Sequence, residues 1–500
     1  MLHLSFLLWL PLAAGVLALI APSGQRVIAV AGSVLTLALA IAFTADFDTA
    51  RAGLQHVTDE TWIAQLGIHY KLGLSGLNLL LVLLATVLWA PATLWAAHTN
   101  PVRPGLFFFW MGLGETAVLG ALLAQDLALF VIFFDLMLVP FFFLTGAWGG
   151  PNRIQAVLKL FIYTLVGSLL MLAGAIATGV LAPTGQLTFD LQQLQQARLS
   201  AGSQDWIFLF FAAAFLVKMP AFPIHGWMPD GYRAMPLPAL GVFSGVVSKV
   251  AAYGFLAIAL PLFPDAAARF QELLLLVALA SILYGSVLAF TVTDTRLVLG
   301  YSSLAQLGFI TLGIFALNDQ GAQGALLQAV NHGLVVLPAF FIVALLAARA
   351  RGSEDLRDMG GLALRAPILA ALFLVVALAN LAMPGSSNFV GEFFILLGVF
   401  NSKLVISLVA GAGVVLASVY TLRLFIRTMH NRLGPNAVSR ELAPRDALVL
   451  VPLVALIVTF ALYPQFGLKR SERDTRGSVA AARQALEQRQ VAEAAQEASK

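Results

Sequence analysis

Leu216-Val217-Lys218-Met219-Pro220-Ala221-Phe222-Pro223 sets a lysine and two prolines inside an apolar run, and Leu381-Ala382-Met383-Pro384-Gly385-Ser386 echoes it. Proline lacks an amide proton and clashes with the preceding turn, so both stretches break the helices that carry them. Around them the 500-residue chain is 60% hydrophobic and only 11% charged, whereas soluble domains carry about a quarter charged residues. A soluble globular protein is excluded, and the chain reads as an all-α, polytopic membrane protein. The apolar stretches are continuous, without a period of two, which excludes an outer-membrane barrel.

One crossing needs roughly 20 apolar residues. Breaks at proline, glycine and charge clusters then predict about fourteen transmembrane helices, at 2–21, 25–43, 75–97, 105–123, 127–147, 154–181, 206–224, 237–262, 271–290, 297–317, 322–349, 366–399, 403–428 and 446–464. Met1-Leu2-His3-Leu4 lacks the basic residues of a signal peptide, so the opening stretch reads as the first span. The helix at 366–399 is too long for one regular crossing and should break at Met383-Pro384-Gly385-Ser386-Ser387. Each broken stretch follows three complete spans of its own segment, so spans four to eight and nine to thirteen form two five-helix units. Five is odd, so the second unit enters from the opposite face, and the pair is an inverted repeat with a broken helix in each half. The expected domains are three N-terminal spans with an outer loop (1–104), the first repeat (105–262), the second (263–428), a C-terminal span (429–466) and a polar tail (467–500).

Basic residues orient this layout. Arg26, Arg103, Arg153, Arg233, Arg296, Arg349, Arg351, Arg357, Arg365, Arg427, Arg432, Arg440 and Arg445 share one side, and the other side's connections hold Arg51, Arg198, Arg269 and Lys403. The positive-inside rule puts both termini on the non-cytoplasmic side. Residues 44–74 alternate loosely and suggest a surface hairpin, 188–199 a small interfacial helix, and the tail from Ser471 a frayed or partner-bound helix. The formal charge of +4 is spread over connections and signals topology, with no nucleic-acid partner. The absence of cysteine removes thiolate ligation of iron–sulfur clusters, disulfide chemistry and any cysteine nucleophile. No Walker loop, dinucleotide turn or HExxH motif is present, and no metal or cofactor site is expected.

The chemistry lies in charges placed where hydrocarbon should be. An ionisable side chain at bilayer depth costs roughly 2.5–3.5 kcal/mol or more, so it should face the interior and serve transport. Glu115, Asp135, Lys218, Lys249, His332 and Glu392 fall in spans four, five, seven, eight, eleven and twelve, and His225 lies seven residues beyond Lys218 in a proline-rich turn. Groups of this kind on neighbouring helices can form a buried row parallel to the membrane. A lysine suits such a row, since burial favours its neutral form and a nearby carboxylate its charged form; Asp135 is the candidate to switch Lys218. The competing reading of each charge is a fixed ion pair locking two helices. Asp126 and Asp294 read as helix N-caps, and Ser244, Ser248 and Tyr163 as hydroxyls able to hold water beside the lysines or to join helices.

Phe134-Asp135-Leu136-Met137-Leu138-Val139-Pro140, Val217-Lys218-Met219-Pro220, His225-Gly226-Trp227-Met228-Pro229-Asp230, Lys249-Val250-Ala251-Ala252-Tyr253-Gly254 and Tyr301-Ser302-Ser303 together resemble the antiporter-like proton channels of respiratory complex I. Asn331-His332-Gly333-Leu334 and Pro384-Gly385-Ser386-Ser387-Asn388-Phe389-Val390-Gly391-Glu392-Phe393 narrow the resemblance to the M type of that family, counterpart of mitochondrial chain 4. The resemblance reaches Tyr463-Pro464. It implies a fourteen-helix fold, L-, N- and K-type neighbours in a bacterial inner membrane, and proton pumping coupled to quinone reduction. Flavin, iron–sulfur clusters and quinone then belong to partner subunits, with no cofactor on this chain. The family's span-five glutamate falls on Asp135, its lysines on Lys218 and Lys249, its histidine on His332 and its span-twelve glutamate on Glu392. The aspartate is one methylene shorter. The family's Asp-x-Lys-Arg before Tyr-Ser-Ser is Asp294-Thr295-Arg296-Leu297 here, and its usual following histidine is Gln306. The alternative is a subunit of a multi-subunit cation/proton antiporter or membrane-bound hydrogenase of the same fold.

Overall fold

The computed structural model describes residues 3–51, 53–435 and 437–498; Met1, Leu2 of the first expected span, and Ser499 and Lys500 of the expected tail lie outside the described residues. Helices α1 (Leu4–Ile20) and α2 (Gln25–Asp46) precede an antiparallel hairpin of β1 (Gln55–Ile63) and β2 (Ile68–Leu74). There follow α3 (Leu79–Thr99), α4 (Pro104–Leu123), α5 (Leu127–Leu136), α6 (Leu138–Trp148), α7 (Arg153–Leu181), the short α8 (Leu191–Gln196), α9 (Ala201–Lys218) and α10 (Met228–Ala234). The next crossing consists of α11 (Leu237–Val242), α12 (Ser248–Gly254) and α13 (Leu260–Leu262), joined by π-helical turns at Phe243–Val247 and Phe255–Ala259. The chain ends with α14 (Pro264–Arg269), α15 (Gln271–Thr291), α16 (Thr295–Ile314), α17 (Asp319–Arg349), α18 (Pro367–Asn380), α19 (Ser387–Ser402), α20 (Leu404–Met429), α21 (Pro444–Leu462) and α22 (Gln465–Ala498).

Every expected span contains helix. Among the described residues, 12 spans are long and apolar enough to cross a bilayer by length and composition, and Leu4–Ile20 and Pro367–Asn380 are shorter apolar helices. The centre is formed by α16, α17 and the α11–α13 crossing, buried along almost their whole length. Helices α2, α7, α20 and α21 instead expose valine, leucine and isoleucine outward, as lipid-facing surfaces do.

Three expectations are corrected. The seventh span ends at Lys218 instead of running to 224, because Pro220 cannot continue the hydrogen-bond ladder; the chain resumes helix at Met228. The fifth span is two helices hinged at Met137, because Pro140 removes the donor for the Leu136 carbonyl. The tail, expected to be frayed or bound to a partner, is instead a helix held by its own chain: α22 packs on α13, α14 and α17, burying Val479 and Ala482 completely. Asp474 accepts from the Gly76 amide at 2.5 Å, and Arg476 and Arg483 reach Asp319 at 3.1 and 3.0 Å. A polar, helix-forming composition could not reveal that surface, which distant elements supply.

Alternation of the crossings puts the hairpin, α8, α14 and α22 on one face, here the hairpin face. It is tied together by the buried Lys71–Asp190 ion pair at 2.5 Å and by Asp126, which caps α5 and also accepts from the His69 amide. The opposite, arginine-rich face is anchored by Arg296, which pairs with Glu354 and donates to the carbonyls of Tyr232, Arg233 and Met235 at 3.1, 3.0 and 2.9 Å. In the loop there, the hydrogen bond from Arg357 brings the Asp355 carboxyl down to about 2.

Candidate proton-transfer site

The hinge at Met137 and the end of α9 meet. Lys218, 4% exposed, donates to the Phe134 carbonyl at 3.3 Å and sits 4.5 Å from the centroid of the Phe134 ring. The Asp135 carboxylate faces the Ser168 hydroxyl and the Lys218 ammonium, but the two charges are neighbours and not a contact ion pair.

Lys249 lies midway along the α11–α13 crossing, between its two π-turns. Its ammonium donates to the Ser244 carbonyl at 2.5 Å and to the Ser248 hydroxyl at 3.3 Å. π-Turns recur at functional sites because they disturb the regular carbonyl ladder. A Cβ on Gly333 would lie 2.6 Å from the Gly245 carbonyl oxygen, so glycine alone lets α17 approach this turn so closely. That approach makes Lys249 the charged neighbour of His332, which is fully buried with neither ring nitrogen bonded to protein.

Glu392 lies on α19, after the break at Met383–Ser386. It accepts from Gln328 at 3.2 Å, while Gln328 also donates to Gln306 at 2.7 Å. Asn331 donates to the Ser387 carbonyl at 2.6 Å and so ties α17 to the start of α19. Beyond Glu392, Ser302 lies 3.0 Å from the Tyr420 hydroxyl, and Asn380 donates to Ser302 and Thr421 at 3.1 and 3.0 Å.

The candidates therefore form three buried clusters: Asp135 with Lys218, Lys249 with His332, and Glu392 with Gln328 and Gln306. Among the described residues no direct hydrogen bond joins one cluster to the next. Phe130, Phe134, Phe215 and Phe255 pack in a chain of ring contacts beside Lys218. Yet Asp135 Oδ1, both His332 nitrogens, Asn331 Oδ1, Gln306 Nε2, Gln328 Oε1, both Asn388 side-chain atoms and Glu392 Oε2 are buried without a protein partner. Buried polar atoms in such numbers are normally satisfied by water.

Two candidates stand apart. Glu115 is 1% exposed and faces a narrow cleft lined by Ala14, Ser33, Trp89 and Thr93, away from the lysines. His225 lies between α9 and α10 against the rings of Phe222 and Tyr284, with Nδ1 unpartnered. Conversely, the buried Gln328, Asn380, Tyr420 and Thr421 belong to these clusters but carry no charge to mark them within an apolar run. The available signal was an amide one helical turn before His332, at the i, i+4 spacing that shares a helix face.

Residues 124–419 match the family described as NADH:quinone oxidoreductase/Mrp antiporter, TM. NADH-quinone oxidoreductase subunit M of Rhodobacter capsulatus is 35% identical over 480 residues, covering 92% of this chain and 93% of the relative. The subunit M of Escherichia coli K12 is 36% identical, covering 83% and 84%. A chain of respiratory complex I from Thermus thermophilus superposes with a TM-score of 0.89 at 29% identity, over 95% of this chain and 99% of that one. A chain of the Mrp complex from Dietzia sp. shares the fold, with a TM-score of 0.84 at 21% identity over 97% and 98%. The chain belongs to the NADH:quinone oxidoreductase/Mrp antiporter family of membrane subunits, within its subunit M branch.

Proposed function

We propose that this chain is the proton-translocating M-type membrane subunit of an NADH:quinone oxidoreductase, a non-redox part of an oxidoreductase complex. The observation that carries this reading is the burial inside the bundle of Lys218, Lys249, His332 and Glu392, each from a separate helix, with both His332 nitrogens and Glu392 Oε2 lacking a protein partner. Lys218 holds or releases a proton as Asp135 approaches or withdraws. Lys249 passes a proton to His332, whose two nitrogens can accept on one side and release on the other. Glu392 closes the row. The unpartnered amide and carboxylate atoms support water-bridged transfer between clusters, and the phenylalanines beside Lys218 are placed to interrupt it. Glu115 and His225 are secondary proton-transfer candidates, off the main row.

In this reading the arginine-rich face is cytoplasmic and both termini are on the other side of a bacterial inner membrane. The two five-helix repeats are residues 105–262 and 263–428. Redox groups reside on other subunits, and the L-, N- and K-type chains are membrane-arm neighbours. Replacing Lys218 by Ala in the assembled complex should sharply reduce pumping-linked quinone reduction while the subunit remains incorporated; normal coupled turnover would defeat the proposal.

A further inference from the structure

Gln306 on α16, Gln328 on α17 and Glu392 on α19 form a closed triangle in which no member is more than 2% exposed. Gln328 commits its amide nitrogen twice, donating to Gln306 Oε1 at 2.7 Å and to Glu392 Oε1 at 3.2 Å, and Gln306 faces the same carboxyl group. Three atoms keep no protein partner: Gln328 Oε1, Gln306 Nε2 and Glu392 Oε2. The titratable neighbour of Glu392 is Tyr420 on α20.

This pattern suits one protonation state of the acid. A carboxylate only accepts hydrogen bonds, so the N–H of Gln328 satisfies ionised Glu392, whereas a neutral carboxyl carries an O–H that needs an acceptor. An amide offers both on opposite sides. Its oxygen and nitrogen fill nearly the same volume, and the last side-chain torsion of glutamine is broad and roughly two-fold, so a half-turn exchanges them without a clash. Once Gln328 turns, its Oε1 faces both the acid and Gln306, and Gln306 must turn with it to present Nε2 in place of Oε1. The two amide atoms left unpartnered beside the ionised acid are therefore the two that become paired beside the neutral one. Room for the turn comes from Gly391, where a Cβ would lie 2.5 Å from Gln328 Oε1.

We propose that Gln328 and Gln306 are positioning residues that turn together each time Glu392 is loaded or unloaded, so that this acid is hydrogen-bonded in both of its states. Glu392 gains or loses one proton on a carboxyl oxygen; each amide only rotates, keeps its own hydrogens and passes no proton. A fixed pair would leave the hydrogen of the neutral acid pointing at an amide hydrogen, a buried donor without an acceptor. This inference rests on the proton-translocating reading above. A purely structural pair would tie three helices together in one orientation, whatever the state of the acid.

The test uses the assembled complex in sealed vesicles. Gln328→Met, which keeps the length of the side chain and removes the amide, should slow proton transfer about ten-fold, the order of one hydrogen bond to a charged group. Gln306→Met should match that loss, and Gln306→His should recover most of the rate, because an imidazole carries a donor and an acceptor on separate nitrogens. Infrared difference spectra across a pH step, recorded with isotope-labelled glutamine, supply the readout that a merely structural pair would not move. A glutamine carbonyl band should shift together with the carboxyl band that Glu392→Asp displaces, and that shift should be lost in Gln328→Met. Glutamine bands that stay silent in the wild-type complex while the carboxyl band changes would overturn the proposal, whether or not the variants assemble. Wild-type proton transfer in Gln328→Met while Lys218→Ala is blocked would overturn it too and leave the row standing; normal turnover in Lys218→Ala would instead defeat the reading beneath it.

Discussion

Gly391→Ala tests whether the approach of α17 to α19 sets the carboxylate at the end of the row. A Cβ at Gly391 would lie 2.5 Å from Gln328 Oε1 and 2.9 Å from both the Gln328 Cβ and its backbone nitrogen, against ordinary contacts of 3.4–4 Å. The amide can rotate away, but the backbone cannot, so the helices must separate by about 0.5 Å there. The same displacement would stretch the 3.2 Å Gln328–Glu392 bond to roughly 3.7 Å, beyond hydrogen-bonding distance. Overpacking costs about 1–3 kcal/mol and the lost bond roughly 0.5–1.5 kcal/mol more. The variant should assemble with reduced thermal resistance in detergent, and its proton transfer should fall more than its electron transfer. Gly411→Ala is the control, since nothing lies within 4 Å of its Cβ position. Wild-type thermal stability and pumping in Gly391→Ala would refute the packing argument.

Asp135→Glu adds the methylene that would let the carboxylate close on Lys218, so pumping should be kept, whereas Asp135→Asn should depress it severely; equal activity in all three proteins would remove Asp135 from the mechanism. Lys71→Met leaves Asp190 buried without its cation, a loss of about 3–5 kcal/mol. Limited proteolysis and hydrogen exchange should then show β1 and β2 opening, and unchanged protection would contradict the role given to this pair.

The sequence alone determined the class of fold, because hydropathy is summed over twenty-residue windows and needs no tertiary context. It placed the breaks near Pro220 and Pro384, since proline acts on its own helix, and the N-caps Asp126 and Asp294, whose oxygens meet amides two or three residues on. It also marked Lys218, Lys249, His332 and Glu392, because a charge inside an apolar run is conspicuous without a structure. Tertiary structure decided which of these meet. Glu115 looked equivalent to the others in the sequence, yet helix rotation turns it toward Ser33 and Thr93. Only the Gly245–Gly333 contact sets His332 beside Lys249, and neutral amides and hydroxyls such as Gln328 and Tyr420 acquire meaning from partners between 22 and 118 residues away. The tail, too, depended on a surface built by α13, α14 and α17. Local backbone chemistry and mean hydropathy are written in adjacent residues, whereas contacts between helices depend on rotation and spacing that the whole bundle sets.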